Sequence, residues 1–184
     1  MKRLYLSIPN NNDVWVKKEM NEDPATMDYN AGYNVSYGGY NYSDGTIKTD
    51  LKDIQENWLP QWINKEPNRY FAFIKRIEDE EYIGYVYFKD KTENGQEIGV
   101  LIRGKYRGKG YATEAVKLLC EKADNLGVEQ LFHQIPDTRK AAIKADLNNG
   151  FVVVNENIPC KFTKFGQKEN EILLIRASDL KSLK

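Results

Sequence analysis

A chain of 184 residues, 41% hydrophobic and 29% charged, is long enough for one domain with a single core and too apolar to stay disordered. Its 27 basic and 27 acidic side chains cancel, which argues against a nucleic-acid partner, since neutralising several phosphates takes a basic surplus. No apolar run approaches the ~20 residues of a membrane helix, so no membrane association is expected.

In chain order, Arg3 to Ile8 reads as a short strand closed by Pro9. The opening MKRLYLSIPNNNDVW has no h-region or cleavage pattern, so no secretory leader is expected. A polar, moderately helical segment follows from Asn12 to about Met20, and EDPATMDYN forms another short turn of helix. Between Tyr29 and Gly45 lie five tyrosines and four glycines. Tyr29, Tyr33 and Tyr37 have helical spacing, but Gly32, Gly38 and Gly39 oppose a helix, so an ordered aromatic loop is expected. Asp50 is placed to cap LKDIQENWLPQWINKE, which Pro60 should kink or split.

After Pro67 the period changes to two. RYFAFIKRI and EYIGYVYFK, joined by acidic residues, predict a hairpin, and EIGVLI is the next strand. Ala112, Ala115, Val116, Leu119, Ala123 and Leu126 share one face of a helix from Tyr111 to Leu126, ended by Gly127. VEQLFHQI returns as a strand. DTRKAAIKADLNNG is a helix capped by Asp137 or Thr138 and stopped by Gly150, and FVVV and NEILLIRA are the last strands. With neither repeat nor linker, the order predicts one α/β domain over 1–184 with a mixed sheet. Cys120 falls in a helix and Cys160 in a basic turn; without metal-ligand spacing they predict no metal site and fit a reducing compartment, the cytoplasm by default.

The chemistry concentrates in IGVLIRGKYRGKGYATEAVKLL, from Ile98 to Leu119, where a strand runs through a glycine-rich basic turn into a helix. Gly99 to Tyr106 nearly matches a Walker A loop, but Tyr106 stands where Ser or Thr must meet magnesium. A dinucleotide fingerprint fails too, because Thr113 stands where its third glycine belongs. What fits is Arg107 to Ala112, RGKGYA, as (Q/R)-x-x-G-x-(G/A) between a strand and a helix. The first N–H groups of a helix lack internal partners, and the aligned peptide dipoles place positive charge there. An anion at that end meets several donors at once; Gly108, Gly110 and small Ala112 let it approach closely, while Arg107 and Lys109 attract it from a distance.

The loop resembles the pyrophosphate loop of the GNAT acetyltransferase superfamily, and the element order from Arg3 to Ala177 is similar to that fold. The resemblance implies a single GNAT-like α/β domain with a mixed, mostly antiparallel sheet of about seven strands. That sheet is splayed between strands 4 and 5 and flanked by about four helices. It implies acetyl-CoA as co-substrate, acceptor-side helices and the Tyr/Gly loop over about 10–66, and a cofactor-binding core over about 68–155. Backbone groups of Val100, Leu101 and Ile102 would bond the pantetheine, with an N–H near Gly99 to Leu101 on the thioester oxygen. Amides of Arg107, Gly108, Lys109, Gly110, Tyr111 and Ala112, with Thr113 nearby, would hold the pyrophosphate, and Lys105 the adenosine 3′-phosphate. The family's asparagine after the fifth strand and tyrosine in the last helix correspond to Arg139 and Asp146, so neither role carries over; Asp137 is an alternative polar contact.

Glu97 is the candidate general base, and a solvated strand-end charge is its plainer reading. His133 reads as a packed histidine more readily than as a base, and Cys120 as a core thiol. The expected activity is acetyl transfer to a primary amine, of a small molecule or a protein N-terminus, by direct attack in a ternary complex. Two other readings stay open: a non-catalytic acyl-CoA sensor or assembly module, and a peptide-binding module using the sheet edge. Look-alikes are frequently homodimers, which is carried here as an expectation.

Overall fold

A computed structural model describes residues 2–183. Seven strands form one sheet: β1 (Leu4–Ser7), β2 (Tyr70–Arg76), β3 (Tyr82–Thr92), β4 (Gly95–Ile102), β5 (Leu131–Pro136), β6 (Phe151–Lys164) and β7 (Gln167–Arg176). Their spatial order is β1-β2-β3-β4-β5-β7-β6, and every neighbouring pair is antiparallel except β4–β5. The hairpin predicted before and after the acidic turn is β2–β3, with Phe71 opposite Tyr87 and Phe73 opposite Tyr85.

Five helical segments accompany the sheet: α1 (Trp15–Glu22), α2 (Pro24–Met27), α3 (Leu51–Asp53), α4 (Tyr111–Asn125) and α5 (Lys140–Leu147). Asp50 caps α3, accepting from the N–H of Lys52 and Asp53. The helix expected beyond it is broken: a π turn, Ile54–Trp58, and a 3-10 turn, Leu59–Gln61, take its place around Pro60, which has no N–H to continue the ladder. At α5 the expected cap does not form. Arg139 holds the cap position with no side-chain bond, one residue beyond Thr138. Cys160 is in strand β6 rather than in a turn, because the period-two segment FVVV extends through Pro159 to Lys164.

α4 and α5 cover one face of the sheet. Ala115, Val116, Leu119 and Ala123 of α4 are fully buried against Phe88, Ile98, Leu131, Phe151 and Leu174. Their recurrence at three and four residues puts them on one stripe, and each large aliphatic side chain so buried contributes roughly 1.5–3 kcal/mol. The opposite face is aromatic: Phe71, Phe73 and Leu101 pack with Val16, Met20 and Met27 under Tyr29, Tyr85, Tyr87, Trp58 and Trp62. Gly99 exists for this face, since a Cβ there would lie 2.2 Å from the Tyr87 ring across the pair. The Tyr/Gly loop is ordered, as expected, and docks on the tip of the β6–β7 hairpin. Tyr33 bridges to Lys164, and the Phe165 ring occupies the space where Gly32 would carry a Cβ.

Candidate active site

β4 and β5 pair in parallel only at Gln96–Leu131 and Glu97–Phe132. Beyond that last rung the strands separate, and a cleft opens through the sheet toward the N-terminus of α4. Backbone direction alternates along a strand, so which groups face the cleft follows from parity. Gln96 N–H donates to Gln130 on the β5 side, while Arg103 N–H donates to Ile83 on the β3 side. Residues 98, 100 and 102 therefore point backbone groups at the cleft, and residues 99, 101 and 103 point theirs at β3. This corrects the expectation for Leu101, whose N–H and C=O face β3 opposite Tyr85. It also directs the expected carbonyl-polarising donor to Val100, not Gly99 or Leu101. Ile102 faces the cleft, but its carbonyl already accepts from Arg107 Nε at 3.2 Å.

The glycine-basic turn is held from behind. The Gly104 N–H donates to Thr26 Oγ1 at 3.1 Å, and the Arg107 guanidinium donates to the Thr26 carbonyl and pairs with Asp28 at 2.7 Å. The Arg107 N–H is bonded to the Gly104 carbonyl. Arg107 is thus a tether with both its amide and its guanidinium engaged, and the run of free donors starts one residue later than the sequence reading had it. From Gly108 through Lys109, Gly110, Tyr111 and Ala112 to Thr113, no N–H has an acceptor among the described residues. Gly108 and Gly110 have φ of 76° and 77°, where a side chain is strained. A Cβ on Gly108 would meet nothing within 4 Å, and one on Gly110 only Arg3 Nη2 at 3.6 Å. The concavity over these amides is open. Lys105 and Lys109 lie over the Tyr106 ring, and among the described residues neither forms an ion pair. Two positive charges therefore flank the free donors. Such a nest suits a diphosphate.

Arg3 braces the same turn, a role its sequence position did not reveal. It donates to the Lys109 carbonyl at 3.0 Å, stacks on Tyr111 and forks onto Glu114. Those contacts hold the Glu114 carboxyl below its usual range despite partial burial. A separation of more than a hundred residues hides such a pair from any local pattern.

Glu97 is the last β4 residue paired with β5, and its side chain enters a recess of about 340 Å³ lined by Thr92, Glu93, Asn94, Phe132, Gln134 and Glu171. Lys89 pairs with its carboxylate at 2.6 Å and is itself half-exposed, so the partner is displaceable. Glu171 accepts from Gln134 at 2.7 Å. Three carboxylates, Glu93, Glu97 and Glu171, thus face one recess at the point where the cleft begins. Tyr87, beside Glu97, is pushed up to about 12, first by burial and then by that carboxylate's charge. Its phenol stays protonated at neutral pH.

Arg139 stacks on Tyr29, 4.5 Å from the ring centroid, and donates to the Tyr29 carbonyl and the Tyr33 hydroxyl. Asp146 is fully buried and bonded to His133, so the residues at the two non-matching family positions both take structural partners. Asp137 donates its N–H to the Asn170 carbonyl in the turn after β5. Cys120 is buried, and burial raises its thiol to about 11, which leaves it unreactive. Among the described residues no cluster of His, Cys, Asp and Glu could hold a metal ion, and no helix is long and apolar enough to cross a membrane.

A family model described as an acetyltransferase (GNAT) domain matches residues 3–152. No curated protein sequence gives a significant match. Among solved structures, a spermidine N-acetyltransferase from Vibrio cholerae in complex with CoA and spermine is similar at 14% identity and TM-score 0.73, over 98% of this chain and 99% of that one. A GNAT-family acetyltransferase from Bacillus anthracis is similar at 16% identity and TM-score 0.68, over 94% and 93%. A putative acetyltransferase from Acinetobacter baylyi is similar at 17% identity and TM-score 0.68, over 94% and 90%. At these identities the structures establish a shared fold.

Proposed function

Since this chain belongs to the GNAT acetyltransferase family, we propose that it transfers acetyl from acetyl-CoA to a primary amine by direct attack within a ternary complex. The observation that carries the reading is the juxtaposition of the β4–β5 cleft with the unoccupied amides from Gly108 to Thr113. The diphosphate lies on those amides, between Lys105 and Lys109. The pantetheine arm runs along the cleft as a pseudo-strand, bonding the groups of Val100 that β5 leaves free. The Val100 N–H then lies within reach of the thioester carbonyl and stabilises the negative charge that develops there, a type of contact worth a few kcal/mol in acyl transfer.

The acceptor enters from the acidic recess. An alkylammonium has a pKa near ~10 and must lose its proton before it can attack. Glu97, once Lys89 is displaced, accepts that proton at the mouth of the cleft. Glu93 and Glu171 favour acceptors carrying a further positive charge, and the Vibrio cholerae neighbour, which holds CoA and spermine, makes polyamines the first class to assay. Calorimetric titration with CoA tests the cofactor half: binding with micromolar affinity is expected, and none at millimolar CoA refutes it. For the acceptor half, free-thiol release from acetyl-CoA should depend on added amine and fall as the amine loses its second charge.

A further inference from the structure

One buried ionisable pair is not used by the mechanism above. His133 is the first β5 residue past the last rung with β4, and its side chain lies on the face covered by α5, whereas Phe132 and Gln134 face the acidic recess. Its Nδ1 is hydrogen-bonded to Asp146 Oδ2 at 2.8 Å. Both residues are buried, at 7% and 0% exposure, yet the pair is incomplete on both sides. Asp146 Oδ1 is buried with no hydrogen-bond partner. The other ring nitrogen, Nε2, meets no partner among the described residues, although it is not sealed off as that oxygen is. A carboxylate oxygen left without a donor destabilises the fold by roughly 1–3 kcal/mol, and apolar residues of similar volume would avoid that loss. Packing therefore does not account for the pair. Its position does, because His133 follows the last rung directly and is level by register with Ile98, where the two strands part and where the reading above runs the thioester arm.

From this arrangement we infer that His133 is a catalytic residue that protonates the departing CoA sulfur, and that Asp146 is its positioning residue. The inference rests on the acetyl-CoA reading of the cleft. The amine nitrogen bonds to the carbonyl carbon, and the tetrahedral adduct collapses as the C–S bond breaks with its electron pair going to sulfur. The protonated imidazole gives its Nε2 proton to that sulfur, making the thiol, and keeps Nδ1–H on Asp146. The proton shed by the new amide nitrogen returns the ring to its starting form through Glu97 and water. Nothing else is consumed, and the products are the amide, CoA and one proton, the one the ammonium gave to Glu97, which passes to solvent before the second is relayed. Asp146 fixes which nitrogen faces the cleft, as a carboxylate behind an imidazole does wherever one ring nitrogen must be held ready.

Because His133 is the only histidine in the chain, its ring nitrogens can be followed without ambiguity by long-range proton–nitrogen NMR. Saturating CoA should move the Nε2 resonance, and desulfo-CoA, which fills the site without a thiol, should not. Asp146→Asn should move the spectrum of the free protein by releasing the ring tautomer. In turnover, His133→Gln should lower kcat about 10²-fold, the usual size of a lost general acid, while KM for acetyl-CoA stays within about twofold. Equal Nε2 resonances with CoA and desulfo-CoA, or a His133→Gln protein turning over at the wild-type rate, would overturn the assignment. The spectra of the wild type decide the matter if the variant does not fold. Calorimetry on the same sample separates the two levels: heat of CoA binding without the resonance shift removes only the role of His133, whereas no heat removes the transferase reading as well.

Discussion

The two ends of the cleft are made of different material. At the end proposed for the cofactor the groups left without a partner are backbone amides from one continuous stretch, Gly108 to Thr113, exposed by two left-handed glycines and a helix that starts without a side-chain cap. At the end proposed for the acceptor the lining groups are side chains gathered from β4, β5, β7 and the β3–β4 turn. A backbone site is specified by where side chains are missing and tolerates change in its neighbours. A side-chain site is specified by what is present, so single substitutions redefine it.

That contrast can be broken most directly at Glu97. Glu97→Gln should lower kcat about 10²-fold while leaving CoA affinity unchanged by calorimetry; a normal rate would remove side-chain chemistry from the acceptor end. Gly110→Val comes next. It should weaken CoA binding at least about a hundredfold, more than its cost in stability of about 1–2 kcal/mol, since the free protein leaves ordinary contact distance for a Cβ there and the added bulk would meet the ligand. If affinity and stability fall in equal measure, the amides are not the cradle. Lys105→Ala with Lys109→Ala is expected to weaken CoA binding only a few-fold and to flatten its dependence on salt, because exposed charges steer more than they hold.

A separate effect, on stability and not on ligand binding, concerns the aromatic face opposite α4 and α5. The Lys17 amine lies over Trp58 and Tyr85, and burial lowers its pKa from 10.5 to about 8. The unfolded chain then binds more protons than the folded one between those values, so stability rises with pH from about 8 toward 10.5. Tyr29 and Tyr87, both pushed up to about 12, oppose the gain above pH 10. Urea unfolding at pH 8 and pH 9.5 should show the gain in the wild type and its absence in Lys17→Met.

The same contrast explains what could be read without coordinates. RGKGYA disclosed its amides because glycine placement and a helix start are local facts, and the apolar stripe of α4 was as plain. The sense of each β4 backbone group was not, since parity depends on which neighbour strand is bonded, and so Leu101 was grouped with Val100. Arg107 read as a free cation because nothing near it in sequence announces Thr26 or Asp28. Arg3 and Glu171 reach the site across long separations, and Lys89 across the β3–β4 pair, and no period reports them. The missing cap at α5 is a place where a distant partner overrode local preference, since the Thr138 hydroxyl donates to Glu169, whereas the break after Asp50 is the one Pro60 announces.

The fork of Arg107 onto Thr26 and Asp28 has a further consequence. Because it anchors the phosphate turn to α2 in the free protein, the entropy of ordering that turn is expended during folding and not at encounter. Cofactor capture should accordingly be fast and limited by diffusion and charge, with deuterium uptake already slow at the bonded amides of Gly104, Tyr106 and Arg107 and slowing at Gly108 to Thr113 only when the nucleotide arrives.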